Sequence, residues 1–131
     1  MIVLDEQLLG RNLEREIGAW YPGAVCFITE LRPDTVIKDD AIPSILRDQP
    51  QATFVTINAT DFWEIVQITA DFCVICLAIP DSQVNRVATM IRDLLSHPRF
   101  ATKASRMGCV IRASVNTLAY YTSSERTIET L

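Results

Sequence analysis

The aspartates and their placement carry most of the chemistry that this sequence offers. Asp5 follows the apolar run "MIVL" at residues 1–4, Asp39 and Asp40 stand side by side ahead of "AIPSIL", and Asp61 comes a few residues past "TFVTI" at 53–57. Carboxylates brought together repel unless a cation lies between them, and a hard divalent ion such as Mg²⁺ or Mn²⁺ prefers oxygen ligands of this kind. Such an ion orients a water, lowers its pKa and offsets the charge that develops on a phosphate being cleaved. Each aspartate taken singly is also a credible helix cap: Asp39, Asp40 and Asp61 as N-caps, and Asp5 with Glu6 as a favourable helix start. What raises the set above a list of caps is a shared position at strand ends.

That position depends on the elements around them. "MIVL" reads as a short buried strand, after which the period changes. Leu9, Leu13, Ile17 and Trp20 recur at three- and four-residue spacing with charged residues between them, predicting an amphipathic helix that ends near "YPG" at 21–23. "AVCFI" at 24–28 predicts a second strand, closed by the turn-like "RPD" at 32–34. A short helix follows, capped by Asp39 or Asp40, with Pro43 in its first turn and Ile42, Ile45 and Leu46 on its apolar face. "TFVTI" and "FCVICLAI" at 72–79 give two more strands, and Pro80 stops the second. From Asp81 or Ser82 to "SHP" at 96–98 runs the clearest helix, with Val84, Val87, Ala88, Ile91, Leu94 and Leu95 on one face. Residues 109–122 read as a terminal strand pair around Asn116 and Thr117.

Strands that are apolar throughout and separated by helices predict an α/β fold with a mostly parallel central sheet covered on both sides. In such a sheet, ligands collect at the carboxyl ends of the strands. The 131 residues are expected to form one domain, 1–131. The longest apolar run, 72–80, is far short of the ~20 residues that cross a bilayer, and Met1 leads into a strand pattern, so a cytoplasmic protein without a membrane partner is expected.

"IVLDEQL" at 2–8, "DDAI" at 39–42 and "VTINATDF" at 55–62 resemble, in order and spacing, the signature segments of the short PIN-like proteins found in prokaryotic toxin–antitoxin-type gene pairs. The resemblance spans residues 1 to about 80, and the later elements fit the same outline. It implies a three-layer α/β/α sandwich acting as a ribonuclease dependent on Mg²⁺ or Mn²⁺, in which Asp5, Asp39 and Asp61 match the acidic ligands. Glu6 or Asp40 would supply a further ligand, Asn58 would assist catalysis, and Thr56 would position a ligand or the scissile phosphate. The implied partners are an RNA substrate, an antitoxin protein and a second copy in a homodimer. Two positions depart from the family pattern. Gln7 replaces the usual Asn after Asp-Glu, and Asn58 stands where an Asp is usual, with one extra residue before Asp61. An amide oxygen coordinates a metal without contributing charge, so the alternative is a PIN-like module that has lost catalysis and serves in binding.

The remaining residues add less. The net charge of −4 divides into −7 over residues 1–80 and +3 over 81–131, and no acidic residue lies between Asp93 and Glu125. Arg99, Lys103 and Arg106 in that stretch are the expected phosphate-binding residues, with Arg112 beside them in sequence. The acidic total speaks against general high-affinity nucleic-acid binding. Cys73 and Cys76 form a C-x-x-C inside a strand, where odd spacing turns the thiols to opposite faces, so buried apolar residues are expected and not a zinc site. His97 fits a helix C-terminus, and Tyr120 and Tyr121 are expected on opposite sides of a strand, at least one of them in the core.

Overall fold

The computed structural model describes residues 1–59, 63, 68–125 and 127–131. Asp61 and Phe62 lie outside the described residues, so the expectations placed on them carry no structural statement below. The described chain forms an α/β fold around a seven-stranded sheet of order β2-β1-β3-β4-β5-β6-β7. The strands are β1 (Ile2–Leu4), β2 (Val25–Phe27), β3 (Ala52–Thr56), β4 (Phe72–Leu77), β5 (Cys109–Ala113), β6 (Leu118–Thr122) and β7 (Glu129–Thr130). The first five run parallel, and β6 and β7 are antiparallel to their neighbours.

Alternation along each parallel strand divides the interior into two cores. Ile2, Leu4, Val55, Ile75 and Ile111 face one side, where they meet α1 (Leu13–Gly18) and α4 (Val87–Ser96) through Leu13, Ile17, Val87, Ile91 and Leu94. Val3, Phe54, Val74 and Val110 face the other, against α3 (Ile42–Arg47) through Ile42, Ile45 and Leu46. Every residue of β3 and β4 is buried, as expected of central strands in a sheet covered on both faces. Cys73 and Cys76 fall into opposite cores with free thiols. Tyr120 and Tyr121 divide in the same way.

Three local features differ from the sequence reading. The helix expected from Leu9 begins at Leu13, because Gly10 at φ 76° and Asn12 at φ 61° take left-handed backbone that a helix cannot continue through. A 3₁₀ turn, Glu6–Leu8, precedes that break and leaves Leu9 47 % exposed. The second strand is shorter than "AVCFI" because Ile28 starts α2 (Ile28–Leu31), where the Glu30 carboxylate accepts a 2.6 Å hydrogen bond from the Phe27 N–H. The helix expected from Asp81 opens as a 3₁₀ segment, Asp81–Arg86, and becomes α4 at Val87.

The strand order fixes where a crevice forms. From β1 the chain passes to β2 on one side, then returns across β1 to enter β3 on the other. Connections therefore diverge at the carboxyl ends of β1 and β3, the switch point at which open α/β sheets bind ligands.

Candidate active site

Asp5 is the first residue past β1 and sits at that switch point. Its N–H donates to the Val55 carbonyl at 2.9 Å, tying it to β3, and its side chain is only 5 % exposed. Oδ2 accepts a 2.7 Å hydrogen bond from the Thr56 hydroxyl, and Oδ1 accepts a 2.8 Å bond from the Glu6 N–H. The Thr56 hydroxyl in turn accepts from the Asn58 N–H at 2.9 Å. One threonine thus orients the carboxylate and fixes the start of the loop that leaves β3. Because the Thr56 proton is committed to Asp5, Thr56 keeps its lone pairs for Asn58.

Asp5 is a buried carboxylate with no cationic partner among the described residues. Among the described residues no lysine or arginine forms an ion pair with it, while Asp39 and Glu6 act on it as like charges. Burial is the main cause that raises its pKa above the ordinary carboxylate value, and Asp39 and Glu6 push the same way. The hydrogen bonds from Thr56 and Glu6 oppose them, and the net direction is upward.

Asp39 reaches this edge from the start of α3. The residues Asp39–Ala41 form a 3₁₀ turn that runs into the helix, with Lys38 in the cap position. Asp39 and Asp40 therefore lie inside the first turn and are not caps, which corrects one of the two roles open to them. Both are exposed, as is Glu6. Asp39 and Glu6 fall within electrostatic reach of Asp5, whereas Asp40 is not among the charges acting on it.

β-sheet register adds a residue that the sequence reading did not assign. Thr56 pairs with Cys76 and Cys76 with Arg112, so these side chains, with Asp5, form a row across the carboxyl edge on the α3 face. Cys76 is buried in mid-row, its thiol pushed up to about 12 by desolvation, and is chemically inert there. Arg112 is exposed at the far end, three strand spacings or roughly 14 Å from Asp5. A cleft of about 460 Å³ opens beside Arg112, lined also by Asn58, Trp63 and Ile79 but not by Asp5. Trp63 stacks edge-on against Tyr121, with centroids 5.0 Å apart, and its carbonyl accepts a 2.6 Å bond from the Tyr121 hydroxyl. Tyr121 thereby holds Trp63, which lines the cleft.

Arg99, Lys103 and Arg106 do not join this group. They precede β5, at the amino edge of the parallel strands, where burial, and then the charges of Lys103 and Arg106, lower the pKa of the Met1 amino group. Arg99 is occupied structurally: its guanidinium stacks 4.9 Å from the Tyr120 ring centroid and donates to the Tyr120 hydroxyl and the Ser105 carbonyl. Arg106 is buried. The length of β5 separates these three from the carboxyl edge that Arg112 reaches, so a phosphate held by them would lie away from Asp5.

Among the described residues, no group of three histidine, cysteine, aspartate or glutamate side chains is placed to hold a metal. Asp5 and Asp39, which act on each other electrostatically, are both hard oxygen donors. Comparison with protein-family models, with curated proteins and with solved structures returned no match, so the residues and their geometry are the basis for reading the site.

Proposed function

We propose that this chain is a PIN-like, metal-dependent ribonuclease that hydrolyses RNA phosphodiester bonds, built on the three-layer α/β/α plan of that family and acting as the toxin of a toxin–antitoxin pair. The observation that carries the nuclease reading is Asp5: a buried carboxylate at the switch point, held in one orientation and facing like charges, with no cation paired to it among the described residues. Such an arrangement costs stability unless a positive ion is taken up. The donor set suits Mg²⁺ or Mn²⁺, with Asp5 and Asp39 as ligands and Asp61, from the segment after β3, completing the set.

The ion, when bound, would lower the pKa of a water and stabilise charge on the phosphate. Asp5 already accepts one hydrogen bond at each oxygen, and each oxygen keeps a further lone pair for a ligand. Thr56 is a positioning residue, since it holds Asp5 and not the substrate. Arg112, at the far end of the row, would hold another phosphate of the same strand. Glu6 and Asn58 stand near enough to contribute oxygen atoms, whereas Asp40 is assigned no ligand role.

Cleavage of unstructured RNA in Mn²⁺, with and without chelator, tests this reading. Activity should vanish with chelator and in Asp5→Asn and Asp61→Ala. Thermal denaturation gives a second readout: Mn²⁺ should raise the melting temperature of the wild type and leave Asp5→Asn unmoved. Cleavage that survives the chelator refutes the mechanism. Mn²⁺ binding at Asp5 without cleavage would favour the inactive binding module.

A further inference from the structure

At the amino edge of the sheet, on the α1–α4 face, lies a second cleft of about 540 Å³ whose walls include Trp20, Tyr21, Arg92, Lys103 and Arg106. Among the described residues no carboxylate lines it. We propose that this cleft is an anion site that binds a phosphate group, separate from the Asp5 site and independent of the nuclease reading.

Arg106 is the observation that carries the proposal. It is 3 % exposed, yet it forms no ion pair with a carboxylate among the described residues. Nε donates to the Thr53 hydroxyl and Nη1 to the Phe100 carbonyl, each at 3.1 Å. Both partners are neutral acceptors, which satisfy N–H groups but leave the charge uncompensated. Nη2 makes no hydrogen bond among the described residues, and since no fully buried side-chain nitrogen there lacks a partner, it keeps solvent access on a residue that lines the cleft. A buried guanidinium, held by two neutral oxygens with its third nitrogen presented to a cavity, is suited to a phosphate oxygen.

The walls reinforce that chemistry. Lys103 is exposed on the same short helix, α5 (Lys103–Arg106), and supplies a second cation. From α4, Arg92 supplies a third; its guanidinium lies 5.9 Å from the Trp20 ring centroid, so the indole steadies it without neutralising it. Trp20 and Tyr21 meet edge to face at 6.1 Å and give the cleft an aromatic wall that a nucleobase attached to the phosphate would contact. Inorganic phosphate, a nucleotide and an RNA phosphate share the recognised group, and the experiment separates them.

Calorimetric titration of the full chain with inorganic phosphate, AMP and a short RNA bearing or lacking a 5′-phosphate, against chloride at equal ionic strength, provides the test. Lys103→Glu and Arg92→Glu change exposed side chains and leave the Arg106 contacts in place, so both variants should remain folded. Phosphate should bind the wild type and lose roughly tenfold or more in affinity in Lys103→Glu. Tighter binding of AMP than of phosphate would assign the site to nucleotides, and dependence on the 5′-phosphate would assign it to RNA ends. No binding of any probe, or binding that both variants retain unchanged, would overturn the proposal. Asp5→Asn should leave the titration unaltered, which separates this outcome from failure of the nuclease reading.

Discussion

Asp5 makes a prediction about pH that needs no substrate. Its folded-state pKa is raised, chiefly by burial, so the folded protein holds that proton to higher pH than the unfolded chain does. The associated stability is fully present below the ordinary carboxylate pKa and is lost as pH rises through the folded pKa. At neutral pH, metal-free Asp5→Asn should therefore melt higher than wild type, by about 2–5 °C for a chain of this size. The difference should shrink towards pH 4. A variant that melts lower at every pH would show that the charged carboxylate is stabilising, contrary to its surroundings. Thr56→Val makes the converse case, since it strips Asp5 Oδ2 and the Asn58 N–H of their shared partner. It should cost about 1–3 kcal/mol in denaturant unfolding, and Thr56→Ser should recover most of that. Asp5 and Asp39 were legible as candidates because a strand end and a helix start can be read from apolar spacing. Their environment was not, because burial and the absence of a neighbouring cation arise only when distant segments meet.

At the level of elements, the sequence marks strands well and breaks poorly. Runs such as "TFVTI" and "FCVICLAI" supply β3 and β4, buried along their whole length, while Ile57 and Ala78 fall past the strand ends and are half-buried. Leu9 kept helical spacing yet lies outside α1, since two left-handed residues intervene. The basic stretch shows the same limit. Arg106 and Arg112 are near in sequence, but β5 carries the chain from the amino edge to the carboxyl edge between them, and charge counting has no direction. Gly108 sets that transit. At φ 81° it precedes β5, donates to the Phe72 carbonyl at 2.8 Å and accepts from the Ser123 N–H at 2.8 Å, locking β4, β5 and the end of β6 together. A Cβ there would meet Ser123 Oγ at 3.0 Å as well as bear the left-handed penalty. Gly108→Ala should lose about 1–2 kcal/mol of stability, measured by urea unfolding. Loss below about 0.3 kcal/mol would mean that the turn tolerates a side chain.

The whole molecule has two poles joined by one strand. Thr53 near the start of β3 accepts from the buried Arg106, and Thr56 at its end donates to the buried Asp5. Three residues apart, their side chains point to opposite faces, and the separation along the strand is roughly 10 Å. Among the described residues, a guanidinium with no acidic partner thus sits at the amino edge on the α1–α4 face, and a carboxylate with no basic partner at the carboxyl edge on the α3 face. No helix among the described residues is long and apolar enough to cross a membrane. Sites this far apart with no shared side chain couple weakly, and their effects on stability should add within about 0.5 kcal/mol. Stabilisation by Mn²⁺ through Asp5 should therefore be the same with and without phosphate in the other cleft. Lys103→Glu should remove the phosphate increment while leaving the Mn²⁺ increment intact. Calorimetric scans of wild type, Asp5→Asn, Lys103→Glu and the double variant, each with Mn²⁺, phosphate or both, measure every term of that cycle. An interaction term above about 1 kcal/mol would show that β3 transmits strain between Thr53 and Thr56, making the two sites parts of one device.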